Sequence, residues 1–231
     1  CFVTGVQTCA LPILPTMKIL LLLSFVITLL LSACSQPDEP TVGLYVAIKR
    51  GDIDQIERHI FWQTDINQNN VDGQTPLHES ARVGRMVITR LLLDHGAEVE
   101  KLNRQQQTAL QVALQNGRTQ IAEMLIDKYQ ARFDPTEQLL LAVKANVHDR
   151  DVIRFLVARG AKINDPDEQG QTPLSIAIAD QQRLLAKHLI LNGADVNQAN
   201  TDGKTPLQIA TDLNNQDLEN LLRANGAGNP R

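Results

Sequence analysis

The chain has 231 residues, and 22 Lys and Arg stand against 26 Asp and Glu, a net charge of −4 with neutral histidines. That mild acidity argues against a nucleic-acid partner, whose phosphates require a basic stripe. All three cysteines lie within the first 34 residues, so no disulfide is expected in the remainder and its stability must come from packing, for which one domain of this length suffices.

In chain order, residues 1–16 come first, and their string Gly5-Val6-Gln7-Thr8-Cys9-Ala10-Leu11-Pro12-Ile13 resembles translated sequencing-adapter DNA. This stretch is read as an artefact without function. Met17-Lys18 and the apolar run Ile19 to Leu31 then read as a secretory signal over residues 17–33. A helix of that run rises only about 20 Å, short of a hydrocarbon core of about 30 Å, so a membrane span is not expected. Leu31-Ser32-Ala33-Cys34 resembles a bacterial lipobox, with charge, apolar run and cysteine in the usual order. The resemblance implies that Cys34 is lipidated and becomes the first mature residue. Ser35 in place of aspartate resembles an outer-membrane sorting signal and implies an envelope protein facing the periplasm. Residues 34–40 form the lipidated cysteine and a polar, proline-containing linker that reaches about 20 Å.

Beyond the linker a motif recurs. Val71-Asp72-Gly73-Gln74-Thr75-Pro76-Leu77-His78 returns as Glu168-Gln169-Gly170-Gln171-Thr172-Pro173-Leu174-Ser175 and as Thr201-Asp202-Gly203-Lys204-Thr205-Pro206-Leu207-Gln208. Thr75 and Thr108 are 33 apart, as are Thr172 and Thr205. Each copy precedes two short apolar-periodic stretches, and a turn followed by two helices at this period resembles the ankyrin repeat. The resemblance implies an all-α solenoid of about six helix-turn-helix repeats with short β-turn tips. The repeats are read as residues 41–70, 71–103, 104–133, 134–166, 167–199 and 200–228, followed by a tail, 229–231.

Local chemistry accounts for the recurring residues. Asp-Gly makes a tight turn, the threonine caps a helix, and Pro76, Pro173 and Pro206 occupy the first helical position, where no amide donor is needed. Ala81, Ala113, Ala142, Ala177 and Ala210 are expected to let first helices approach one another. Gly84, Gly96, Gly117, Gly160 and Gly193 are expected to end helices in left-handed geometry. The fourth repeat has lost the turn motif, has Asn146 for the usual glycine, and carries two extra residues around His148-Asp149-Arg150. It is therefore expected to pack most weakly on both neighbours.

No catalytic, metal or cofactor site is expected, because the five histidines, His59, His78, His95, His148 and His188, show no ligand spacing. An enzyme is the rival class. The resemblance instead implies a protein-binding face of turn tips and first-helix ends, carried by Gln74, Arg82, Val83, Gln107, Gln115, Asn116, Gln171, Ala179, Asp180, Lys204, Asp212 and Leu213. Lys49, Arg50, Lys144 and Ala145 extend it through the degenerate repeats. Phe61-Trp62 reads either as a cover over the first repeat's apolar edge or as a contact with the bilayer interface. The partner is expected to be an envelope protein bound by a lipid-anchored monomer, in a scaffold or regulatory role or as immunity against a periplasmic toxic effector.

The anchor is directly testable. Replacing Cys34 by alanine is expected to release the protein from membranes, since each acyl methylene contributes about 0.8 kcal/mol to membrane binding. A variant that still sediments with membranes after a salt wash contradicts the lipobox reading.

Overall fold

A computed structural model of the chain describes residues 36–228. The readings of residues 1–16, of the signal at 17–33, of Cys34 and Ser35, and of the tail at 229–231 lie outside the described residues. The chain divides into Cys1–Glu39 and a second unit, Pro40–Arg231. The second unit holds six helix pairs: α1 (Leu44–Arg50) with α2 (Ile53–Phe61), α3 (Pro76–Val83) with α4 (Met86–Asp94), α5 (Ala109–Gln115) with α6 (Thr119–Asp127), α7 (Pro135–Lys144) with α8 (Arg150–Ala158), α9 (Pro173–Ala179) with α10 (Arg183–Leu191), and α11 (Pro206–Asp212) with α12 (Gln216–Ala224). Among the described residues there is no strand, and no helix is long and apolar enough to cross a membrane.

The threonines start the first helices as expected. Thr75 Oγ1 accepts the His78 amide at 3.3 Å, with Pro76 at the first helical position; Thr172 and Thr205 repeat this with Pro173 and Pro206, and Thr108 makes the same cap before Ala109. His78 completes the motif: its Nδ1 accepts the Thr75 hydroxyl at 2.7 Å, and its Nε2 donates to the Gln107 carbonyl of the next repeat at 2.8 Å. Burial pushes the His78 pKa below the usual imidazole value, which keeps the neutral ring these two bonds require.

Packing runs along the stack. Ala47, Ala81, Ala113, Ala142, Ala177 and Ala210 are all buried, so successive first helices come close, while the second helices meet over smaller contacts. Leu92, Leu125, Leu156, Leu189 and Leu222 bury one side of each second helix in the core, and their neighbours Leu91, Met124, Phe155, Ile190 and Leu221 pack half-buried beside it. Each fully buried aliphatic side chain contributes about 2 kcal/mol.

Hydrogen bonds also cross from repeat to repeat. The Asn67 side chain donates to the Gly96 carbonyl at 3.1 Å and accepts the Glu98 amide at 2.9 Å. Asn164 and Asn197 hold the following repeats in the same way, through Gly193 and Asp195 and through Gly226 and Gly228. The turn tips are joined by Arg104 N to Gly73 O at 3.2 Å and by Thr201 N to Gly170 O at 3.3 Å. This close stacking is why the tips need glycine. At Gly73 a Cβ would stand 2.5 Å from that of Arg104, and at Gly170 it would run into the Thr201 side chain, whereas Gly203, on the last tip, has open space.

The fourth repeat departs from expectation in two ways. Its missing Thr-Pro start is replaced by Asp134-Pro135, and the Asp134 carboxylate accepts the Thr136 and Glu137 amides at 2.8 and 3.1 Å. Its looseness is also one-sided: α7 packs on α9 much as the other first helices pack, but its contact with α5 is the smallest between adjacent first helices. The two inserted residues lie in the 145–149 connection, where Asn146 takes φ +55° and Asp149 caps α8. Gln181 and Asn214 occupy the same left-handed position in the fifth and sixth repeats, where glycine was not available as a signal.

These conformations set measurable costs. Gly170→Ala is expected to lower stability in urea unfolding by about 3 kcal/mol, combining left-handed strain with overpacking, and Gly203→Ala by only about 1 kcal/mol. Gln181→Gly is expected to raise it by about 1 kcal/mol. Equal losses at the two glycines would contradict the tip-stacking account.

Candidate binding face

The expected face comprises the tips and the carboxy-terminal ends of the first helices, and its residues divide by what their side chains already hold. Gln74, Gln107 and Gln171 are half-buried within the tips. Asn103 Nδ2 donates to Gln74 Oε1 at 3.2 Å and to Gln107 Oε1 at 3.3 Å, and Gln171 Oε1 accepts from Ser175 Oγ at 3.2 Å and from Asn200 Nδ2 at 3.4 Å. These carboxamides link one tip to the next. The residues that organise the tips, Asn70, Asn103, Asp167 and Asn200, were missed in the sequence reading. Each uses a side-chain oxygen to accept the amide four residues on, at 2.9 to 3.0 Å. Their shared spacing of 33, from Asn70 to Asn103 and from Asp167 to Asn200, was the available signal.

Three of the basic residues are similarly engaged. Arg82 donates from Nε and Nη2 to the two carboxylate oxygens of Glu79, at 3.0 and 2.7 Å, and this hydrogen bonding holds the guanidinium above its usual pKa. Glu79 is buried, and Lys49 Nζ lies 3.8 Å from its Oε1. The sequence carried a signal for this acid too, since Glu79 stands at the helical position of Val112, Ile176 and Ile209. Lys144 Nζ lies 2.8 Å from Asp167 Oδ2, whose side chain is nearly covered. Burial disfavours the Asp167 carboxylate, but Lys144 and the Gln171 and Gln169 amides outweigh it and hold the pKa below the usual range.

The remaining positions are open. Arg50 ends α1, and Gln115 and Asn116 close α5; all three are exposed, and Asn116 turns its amide back to the Val112 carbonyl at 2.8 Å. Val83 is half-buried, and Ala145, Ala179 and Asp180 are exposed. Lys204 and Asp212 pair with each other at 2.6 Å on the surface, and Leu213 beside them is 38% exposed. At the end of α2 Phe61 and Trp62 are both exposed, edge to face with ring centres 5.9 Å apart. Among the described residues no three His, Cys, Asp or Glu side chains are grouped to hold a metal ion.

Residues 44–137 and 139–230 match a family model described as ankyrin repeats (3 copies). Among curated proteins, the chain is 32% identical over 116 residues to the transient receptor potential cation channel subfamily A member 1 homolog of Caenorhabditis elegans, covering 50% of this chain and 10% of that protein. It is 29% identical over 102 residues to the human Notch-regulated ankyrin repeat-containing protein, covering 42% of this chain and 89% of that one. The matches to the first three curated relatives span only 10%, 19% and 17% of their lengths. Among solved structures, a chain from the complex of the predatory endopeptidase Bd0816 of Bdellovibrio bacteriovorus with immunity protein Bd3460 is similar, with a TM-score of 0.59, 25% identity and coverage of 80% of this chain and 99% of that one. The human ASB11 ankyrin repeat domain aligns with a TM-score of 0.62 at 25% identity, covering 82% and 86%. An ankyrin repeat domain of Acinetobacter baumannii AYE aligns at 0.55 with 26% identity, covering 79% and 97%.

The buried acids give the basic residues a structural duty that the sequence reading did not assign. Arg82→Glu would set a second carboxylate against buried Glu79 and is expected to destabilise by about 2 kcal/mol, less than for a fully buried pair because the Arg82 head is half exposed. Arg50→Glu, without such a partner, is expected to leave the urea midpoint unchanged. Equal effects of the two reversals would contradict this division.

Proposed function

Because the chain belongs to the ankyrin-repeat family, we propose that it is a non-catalytic binding protein that holds a protein partner against its tips and first-helix ends. The observation that carries this reading is that each repeat buries an apolar core in the stack, while at the first-helix ends Arg50 and Gln115 stand exposed with no side-chain hydrogen bond or ion pair among the described residues. A stacked array of this kind offers area and spacing for a partner, and its chemistry is that of contact. The lipobox resemblance supports a tether through Cys34 to the bacterial envelope, with the repeats on the periplasmic side. There the chain would act as a scaffold or regulator.

The likeness to a chain of the endopeptidase and immunity protein complex favours a second, narrower reading. In it the chain is an immunity protein that occludes a periplasmic effector. Co-expression with the product of the adjoining gene separates the two, since only an immunity protein rescues growth from a toxic neighbour.

For either reading, the Arg50→Glu, Gln115→Glu double variant is expected to capture its partner from envelope extract about tenfold less well than the parent, with the same melting temperature. Arg90→Glu, on the exposed side of α4, is the control. Equal capture by the double variant and the parent would remove the case for this face.

A further inference from the structure

The fourth repeat leaves a place open on the stack. Between the third tip, at Asn103–Gln107, and the fifth, at Asp167–Gln171, the chain makes no turn tip. At Gly73 and Gly170 the tip carbonyl accepts an amide from the following tip. The corresponding residue of the third tip is Gln106, at φ +59°, and it carries a Cβ where those two glycines have no room for one. A side chain is tolerated there because no fourth tip stacks on it.

Below this gap, where α5 and α7 draw apart, lies a cleft of about 330 Å³. Gln106, Gln115 and Gln138 line it around Leu114, Leu141 and Ala142. Leu141, which precedes the buried Ala142 as Val112, Ile176 and Ile209 precede Ala113, Ala177 and Ala210, is 39% exposed, and Gln138 lies one turn before it on α7. The cleft's charged lining residue, Lys144, is already neutralised by Asp167.

We propose, building on the binding role above, that this cleft seats an uncharged loop of the partner protein, with an apolar side chain against Leu141 and backbone amides against the glutamine carboxamides. Three features of the site select that occupant. The open space is what a turn of polypeptide fills at the neighbouring junctions. Glutamine carboxamides both donate and accept, as peptide groups do, and so match a loop whose own amides are not paired in a helix or sheet. The lack of uncompensated charge disfavours an acidic or basic segment, which would be desolvated without a partner. The Gln106 side chain prevents the loop from stacking as a repeat tip does, so it must lie lower, against α5 and α7.

Photo-crosslinking in the producing cell tests the assignment on the full chain. Benzoylphenylalanine is placed singly at Leu141, Gln115, Arg50, Leu213 and, as the outer control, Arg90, and each adduct is mapped to the residue it joins. Adducts from Leu141 and Gln115 are expected within one loop of one protein, and Ala145→Trp, which fills the cleft from an exposed position, is expected to lower the Gln115 adduct about tenfold without changing melting. Adducts at Arg50 or Leu213 with none at Leu141 would overturn the cleft assignment and leave the binding face standing. A Leu141 adduct to a helix or strand of the partner, to a second copy, or to this chain's own leader would also overturn it. Adducts at none of the first-helix positions would overturn the binding role itself.

Discussion

Burial of each repeat's apolar side against the next is the constraint on which this structure depends. A single helix pair here cannot close its own core; Ala81 needs the neighbouring first helices, and Leu92 needs the layers on both sides. Backbone register is then set by side chains that reach across, with His78 on Gln107, Asn67 on Gly96 and Asn164 on Gly193. These links all join adjacent repeats. A change in one repeat is therefore felt by its two neighbours and little beyond them, which is why the irregular fourth repeat can open a cleft without disturbing the second or sixth.

The same stacking decides which charges are free. Glu79 and Asp167 are acids held in the stack by Arg82, Lys49 and Lys144, so the basic residues of the early repeats belong partly to the scaffold. Removing a cation from such a pair leaves a carboxylate with its desolvation uncompensated. Surface charge alone is thus a poor guide to the partner's chemistry. The uncommitted groups, Arg50, Gln115, Leu141 and Leu213, describe a mixed surface with modest charge.

The repeat architecture was legible because its determinants are local. Threonine caps, the prolines after them and the left-handed glycines each act within a few residues, and Thr75, Pro76 and Gly84 take the geometry that their identities imply. What was not legible depends on neighbours. The loss of a tip beside Gln106 shows only when the next repeat is in place, although the Asp134-Pro135 start of α7 is a local signal that the sequence did carry. Buried Glu79 and the tip-forming Asn103 also lay in plain register, but their meaning comes from Arg82 and from the Gln74 carboxamide one repeat away. The face residues were sought at helix ends and tips, where sequence could not separate glutamines already bonded within the tips from those still open.

The central claim is that a partner engages the first-helix ends around the irregular junction. Hydrogen exchange of the chain alone and with its captured partner tests it most directly. The account predicts added protection in residues 104–116 and 138–147, with α4 and α10 unchanged. Added protection confined to the second helices, with the α5 and α7 ends exchanging as in the free protein, would contradict it.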